Sequence, residues 1–553
     1  MAKKFAFKRN QSVGAAQAEL DEHYLDNCFI DTGDLAILTN CDDSRRIIAG
    51  RTGSGKSALI AKIIESKENV IQIRPESLSL TYIANSGVIN FFTEAGVKMD
   101  IFYRLLWRHV FVVEILKERF HIETEDAKKG FLNFLWQLIP KNKKHELAID
   151  YLKKWGESFW KETEYRVHEI TKKLEKELEA SIGGGVEGLG ILNAAAARKL
   201  TEEQKEEVVN RAQEVVSSVQ IVELSRVMEL LDDVLLADPQ RKFLIVIDQL
   251  DEDWVEDRLR FRLIRALIET SIDFARIRNM KIILALRNDL LDRVYRYTRD
   301  SGFQEEKYRT STLPLIWTKK QLTELLDARI SQLVFEQYTS QAVSHKDLLP
   351  KEVEKQVSID YMLDRTLMRP RDIIQFFNTC IQLSEGRPVI SLKVLRESEG
   401  TYSRERLRAL ADEWYGLYPN LLHLASLIKR RRDIFLVQDI TNKQLIENYL
   451  ELLISGRGEE GLDMQLMNMV FEGAMSIEDY KINVILIFYK VGLVGLKTER
   501  QVPFSWSEAG PVSVSSAEIK PDTKVSVHKA FWRSLGIAVR NSSNEDEQLT
   551  ITQ

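Results

Sequence analysis

Residues 50–57 read Gly-Arg-Thr-Gly-Ser-Gly-Lys-Ser and fit the spacing G-x-x-x-x-G-K-[ST] of a phosphate-wrapping loop without a mismatch. Glycines at Gly50, Gly53 and Gly55 let the backbone turn its N–H groups inward, and a helix starting at the lysine adds the positive end of its dipole. Arg51, Thr52 and Ser54 ride on the same loop. In that geometry Lys56 reaches the outer phosphates of a nucleoside triphosphate and the Ser57 hydroxyl holds Mg²⁺. The competing reading is a glycine turn that caps a helix and binds nothing.

A second set of polar residues follows an apolar run. Phe243–Ile247 reads as a fully buried parallel strand and ends in Asp248-Gln249-Leu250-Asp251-Glu252. A carboxylate at the C-terminal end of such a strand sits where open α/β sheets bind ligands, which makes Asp248 the candidate Mg²⁺ partner. A third strand, 281–286, ends in Arg287-Asn288-Asp289. Asp251 and Glu252 can alternatively cap a helix expected over 254–264.

These residues need a scaffold. A short strand at 46–49 precedes the loop and a helix at 58–64 follows it, as the motif requires. About 190 residues separate Ser57 from Asp248, far more than one crossover takes, so something is inserted. Leu152, Trp155, Phe159, Val167, Ile170, Leu174 and Leu178 mark an amphipathic helix, which glycines at 183–190 break. A second helical pattern runs through Val208, Ala212, Val215, Val219 and Val222 to Leu235. The pair reads either as a projecting hairpin or as a helical subdomain packed on the sheet. Further on, Thr318 caps a helix that buries Leu322, Leu325, Leu326 and Ile330, and helices continue through Arg369-Pro370-Arg371-Asp372 to about 395. Residues 401–553 read as helices followed by short β pieces such as 524–528, the pattern of a winged helix, with a polar, disordered tail after Asn541.

Composition narrows the classes. The chain has 553 residues, 44% apolar and 29% charged, with net charge −5, so the whole molecule is no nucleic-acid sponge and any such contact must come from a local patch. The sharpest patch is Lys429-Arg430-Arg431-Arg432, at the end of a helix that begins near Pro419. Those residues either complement the helix dipole or touch DNA or RNA phosphates. Three cysteines and eight histidines show no metal spacing. The N-terminus lacks an apolar leader and reads as a solvated basic arm, and no apolar run is long enough for a membrane, so a cytoplasmic protein is expected.

Together, GRTGSGKS, FLIVIDQLDEDW, LALRND and the later RPRD resemble the bacterial STAND/KAP-type P-loop ATPases, relatives of AAA+ proteins in the additional-strand class. The resemblance spans roughly 25–395. It implies an α/β fold: a parallel P-loop NTPase sheet in which the strand ending in Arg287 separates the other two, with a long helical insertion, a helical lid and a C-terminal, mainly α, winged-helix domain. The expected divisions are an arm over 1–24, a core over 25–330 with its insertion at about 100–236, a lid over 331–400 and a last domain over 401–553. The resemblance assigns ATP and Mg²⁺ to Lys56, Ser57 and Asp248. Gln249 stands where AAA+ proteins carry a glutamate, so the residue orienting water falls to Glu252, with Asp251 as the other choice. Arg287 becomes a γ-phosphate sensor, or else a partner of Asp289. Arg369 or Arg371 reaches the nucleotide from the lid, or forms a plain lid salt bridge. Arg258, Arg260, Arg262 and Arg265 offer a trans-acting finger or a solvated face. The implied function is an ATP-hydrolysing switch that oligomerises or changes conformation in defence against phage or foreign DNA, with a separately encoded effector. The alternatives are a DNA-binding, AAA+-like remodeller and a nucleotide-bound scaffold that does not hydrolyse.

Overall fold

The computed structural model describes residues 5–78, 86–121, 197–198, 200–218, 221–232, 236, 238–252, 254–299, 305–335, 343–454, 461–507, 514–539 and 550–551, with isolated positions between 130 and 180. By its internal contacts the chain forms two compact units. One comprises 33–49 and 59–313; the other comprises 1–32, 50–58 and 314–553.

The first unit is built on a five-stranded parallel sheet of β1 (Ile47–Gly50), β2 (Val70–Ile73), β3 (Phe243–Ile247), β4 (Met280–Arg287) and β5 (Thr312–Pro314), in the order β2-β3-β4-β1-β5. Registers Ile73↔Ile247 and Ile247↔Leu284 bring the C-terminal ends of β2 and β3 level, with β4 running three residues further to Arg287. The strand ending in Arg287 therefore lies between β1 and β3, the place expected for it. Unbroken apolar runs in β3 and β4 suit a sheet covered on both faces. The exception is Lys281, buried within β4, whose Nζ donates to the carbonyls of Ile37 and Asn40 at 2.9 Å each.

Helices α1 (Lys56–Ser66), α2 (Gly87–Glu94), α3 (Asp100–Phe120), α4 (Glu202–Ser218), α5 (Ile221–Leu230), α6 (Asp257–Asp273) and α7 (Asn288–Tyr297) accompany the sheet. Trp107 of α3 donates its indole N–H to the Leu263 carbonyl of α6 at 2.9 Å, and Val208, Ala212, Val227 and Leu231 join one core with Ile245 and Ile247. The described part of the insertion is thus a subdomain packed on the sheet rather than a stalk. The pattern over 152–178, its glycine break, and the side chains at Val215, Val219, Val222 and Leu235 lie outside the described residues, apart from isolated positions.

In the second unit, α8 (Lys319–Phe335), α9 (Ser358–Leu363), α10 (Pro370–Gln382) and α11 (Leu392–Trp414) surround one core. Thr318 and Gln321 exchange hydrogen bonds at the start of α8, as a capping box does, and Leu322, Leu325, Leu326 and Ile330 are buried. The start of the chain corrects the expectation of a solvated arm. Phe7 and Val13 are buried in this core, Phe7 exchanges backbone hydrogen bonds with Gly386 and Arg387, and the Val13 N–H donates to Asn378. Phe5, Phe7 and Val13 supply enough apolar surface to outweigh the neighbouring Lys and Arg. Two expected divisions also move: α8 runs through position 331, and the single 23-residue α11 passes straight across 400–401.

The remainder, also mainly helical, holds a short helix Leu421–Leu424, β6 (Ile434–Leu436), α12 (Asn442–Ile454), α13 (Leu462–Phe471), α14 (Ile477–Val491), β7 (Val494–Lys497) and β8 (Lys524–Val527). The three strands form an antiparallel sheet in the order β6-β8-β7, and the helices share its core. The tail after Asn541 lies outside the described residues except for Thr550–Ile551, which pair with Ala538–Val539.

Candidate nucleotide site

The loop from Gly50 to Ser57 carries left-handed backbone at Gly53 (φ 78°) and Gly55 (φ 101°), which glycine alone adopts cheaply. A Cβ on Gly53 would also stand 2.5 Å from the Arg371 Cβ. Lys56 Nζ donates to the carbonyls of Gly50 and Arg51 at 3.1 and 3.2 Å, folded back over its own loop. The hydroxyls of Thr52 and Ser54 are buried and find no hydrogen-bond partner among the described residues. Buried hydroxyls of that kind fit a loop shaped for a polar ligand. Trp317 holds the far side by donating to the Ser54 carbonyl at 2.8 Å.

Beside the loop is a cavity of about 110 Å³ lined by Ala15, Ala16, Gly55, Lys56, Arg329 and Arg371 among others. Arg371 is placed by two bonds: its backbone N–H donates to the Gly53 carbonyl at 3.3 Å and its Nε to the Ala16 carbonyl at 2.9 Å. Arg329 is buried, donates to the Val13 carbonyl at 2.9 Å and pairs with Asp21 at 2.5 Å. Nothing in the local sequence pointed to Ala15, Ala16, Asp21 or Arg329. Their partners lie about 300 residues away.

The front of the loop is clamped. Glu413, near the end of α11, accepts from the Thr52 N–H at 3.3 Å and from Arg51 Nε at 3.5 Å, while its other oxygen takes Arg369 Nη1 at 3.2 Å. Arg369 Nη1 also donates to the Thr52 carbonyl at 2.8 Å, and Arg51 Nη2 to the Val491 carbonyl at the end of α14 at 2.5 Å. Behind them Asp372 receives Arg369 at 3.1 Å and Arg406 at 2.7 Å. Burial pushes the Asp372 carboxyl up, but the two arginines and the Leu367 N–H outweigh it and hold the group at about 2. Arg369 is therefore a structural member of this network, whereas Arg371 borders the cavity. Of the two lid arginines expected near the nucleotide, the geometry separates one from the other.

The first unit carries the acidic residues. Asp248 is half-buried and accepts the N–H of Gln249, which adopts φ 60°, so the chain turns sharply at the strand end. Arg287 donates to Asp251 at 3.1 Å and to Asp289 at 2.8 and 3.1 Å, and Arg293 also reaches Asp289. Arg287 thus does pair with Asp289, and with Asp251 as well. Glu252 is pushed above the usual carboxylate range by burial, by a hydrogen bond with Glu76 and by the charges of Asp251 and Asp248. Glu76 lies in the turn Pro75–Leu78 after β2 and had no sequence signal of its own. Neither Asp251 nor Glu252 caps α6, which begins at Asp257 after Glu256. Arg260 is buried against Asp257 and the Glu252 carbonyl, and Arg265 is tied to Glu269, so these two do not belong to a solvated face.

The basic cluster follows the helical turn ending at Ile428, as expected. Arg431 is anchored by bonds to the carbonyls of Leu427 and Asp439 and to Gln444, whereas Lys429, Arg430 and Arg432 are exposed. Arg431, Arg432 and Lys524 edge a groove of about 460 Å³ beside β6. Among the described residues no three His, Cys, Asp or Glu side chains converge as a metal site, and no helix is long and apolar enough to cross a membrane.

Two comparisons bear on this arrangement. The chain is similar to an 80.3 kDa protein of Escherichia coli strain K12 named for the transposon gamma-delta, at 22% identity over 548 residues, which cover 96% of this chain and 67% of that protein. A family profile described as the FunZ-associated C-terminal helical domain matches residues 320–411. That stretch carries Arg329, Arg369, Arg371, Asp372 and Arg406, and ends two residues before Glu413.

Proposed function

We propose that the chain is an ATP-binding and hydrolysing molecular switch. The observation that carries this reading is the phosphate loop: a full motif, two left-handed glycines, Lys56, and two buried hydroxyls without partners among the described residues, all beside Arg371. In this reading Lys56 and the loop N–H groups take the phosphates, and Arg371 adds a cation from the start of α10. Mg²⁺ suits the hard oxygen donors Ser57 and Asp248, and when bound it neutralises phosphate charge. Glu252 orients the attacking water in preference to Asp251, because Asp251 is spent on Arg287 and burial beside Glu76 makes the Glu252 carboxyl more basic than an ordinary carboxylate. Arg287, held by two carboxylates, senses the charge that develops there. The clamp at Arg51, Thr52, Glu413 and Arg369 gives the helical region a direct grip on the loop, so nucleotide state and helix position are linked. Such a switch acts in the cytoplasm, as a homo-oligomer with a separately encoded effector, in defence against foreign DNA.

A second reading, a DNA-binding remodeller, draws on the transposon-named relative and on the exposed Lys429, Arg430 and Arg432 beside the β6-β8-β7 sheet. The order of helices and strands there suits a winged helix, but α14 opens with Glu478 and Asp479 and is mostly buried, so contact falls on the cluster instead.

The test is ATP turnover by the wild type, Lys56→Ala and Glu252→Gln, with mass measured with and without ATP and DNA. Lys56→Ala should lose nucleotide binding, and Glu252→Gln should bind without turning over. Nucleotide binding that survives Lys56→Ala refutes the switch. DNA-stimulated turnover that falls when Lys429, Arg430 and Arg432 are neutralised favours the remodeller.

A further inference from the structure

Helix α12 is apolar on two faces. Leu445, Tyr449 and Leu452 point into the core, while Ile446, Leu450 and Leu453, one position further on each time, recur at the same four- and three-residue steps on the adjoining face. These are 37%, 41% and 47% exposed, and Ile454 after them is 85% exposed. A helix that is apolar on both sides needs a partner on each. Beside the stripe, α13 packs against Tyr449: the Tyr449 and Phe471 rings are 5.3 Å apart, the Tyr449 hydroxyl donates to Asn468 at 2.5 Å, and Phe471 is itself exposed.

We infer that this face of α12 and α13 binds a second copy of the chain about a two-fold axis. Area is the first argument. At roughly 200 Å² for a whole large apolar residue, the five exposures leave about 540 Å² uncovered, near the top of the range for the largest patch on a monomer. Facing its own copy, the patch buries about 1,100 Å² in total, above the roughly 1,000 Å² that a biological interface must clear. Shape is the second, since a straight stripe on one helix is complementary to itself when the helices cross antiparallel. Charge is the third. The stripe is edged by Lys443, Glu447 and Glu451, all exposed, and the two acids disfavour an anionic lipid surface while the mixed signs suit a polar rim. The inference goes beyond the proposed nucleotide switch, because association through this face requires no nucleotide.

The experiment is sedimentation equilibrium of the full chain without nucleotide, on the wild type, Leu450→Glu, Leu453→Glu and Val357→Glu, the last altering an exposed apolar residue elsewhere. The wild type and Val357→Glu should dimerise. Each glutamate in the stripe should raise the dissociation constant at least about a hundredfold. Should either glutamate variant fail to fold, Leu450→Gln and Leu453→Gln should still weaken the dimer by about tenfold each. Lys56→Ala should dimerise like the wild type, which keeps the result independent of ATP binding. A wild type that stays monomeric at about 100 µM, some tenfold above a Kd of about 10 µM, overturns the inference. So does a dimer indifferent to the stripe variants, or a monomer that instead sediments with vesicles through this face.

Discussion

Replacing Glu413 by alanine tests the clamp most directly. The carboxylate is 3% exposed and serves three donors: the Thr52 N–H, Arg51 and Arg369. Removing one partner of a buried ion pair costs about 3–5 kcal/mol, because the opposite charge stays behind unpaired. The low end applies here. Arg369 keeps Asp372 and the Thr52 carbonyl, and Arg51 keeps the Val491 carbonyl. The expected loss is therefore about 3 kcal/mol, or about 6 °C in Tm at the least sensitive end for domains of this size. Glu413→Gln, which keeps one acceptor for the Thr52 N–H, should lose about 2 kcal/mol. Calorimetry and urea unfolding measure both, and hydrogen exchange at residues 51–54 should rise in parallel. A double-mutant cycle with Arg369→Gln should show a coupling of about 1 kcal/mol or more. A Tm within about 1 °C of wild type, with unchanged exchange at Thr52, would refute the clamp, because a charge lost from a buried network cannot be that cheap.

Acid should weaken the same network. Asp372 at about 2, against 3.8 for a free carboxyl, contributes stability that is present above pH 4 and lost as pH falls through 2, about 2 kcal/mol in all. Asp372→Asn should flatten that part of the urea-midpoint profile, and an unchanged slope would count against the assignment. Lys281 behaves in the opposite sense. Burial pushes its ammonium down to about 8, so the unfolded chain holds more protons between pH 8 and 10.5, and stability of the sheet unit should rise across that window in wild type but not in Lys281→Met. Arg371→Ala should weaken ATP binding about tenfold or more while costing only the bond to the Ala16 carbonyl, about 1 kcal/mol of stability; binding is measured with a fluorescent nucleotide, and an unchanged Kd would remove Arg371 from the site.

What could be read from the sequence was local and periodic. β3 and residues 282–286 of β4 carry unbroken apolar runs, the loop has a fixed spacing, and α8 announces itself by Thr318 and four leucine or isoleucine positions. The place of the strand ending in Arg287, between β1 and β3, followed from the resemblance those motifs carry. What could not be read depends on residues that meet across hundreds of positions. Glu413 lies 361 residues from Thr52, and nothing around it differs from any acid on a helix. Glu76 matters only because β2 lies beside β3, and the RPRD pair could not be divided into Arg369 and Arg371 until the helix start placed one inward and one toward the cavity. The N-terminal arm misled for a related reason: its Lys and Arg are conspicuous, and the few apolar residues among them have no periodicity.

That N-terminal segment has a consequence for how the protein is made. The Val13 carbonyl receives Arg329, 316 residues later in the chain. At 5–20 residues per second, a ribosome needs roughly 20–75 s to deliver the residues that cover Phe7 and Val13. Phe7 and Val13 thus leave the exit tunnel well before the residues that cover them. During that interval they are a client for chaperones or a liability for aggregation, and the wall they supply beside the phosphate loop cannot form until residues 329–387 have been synthesised.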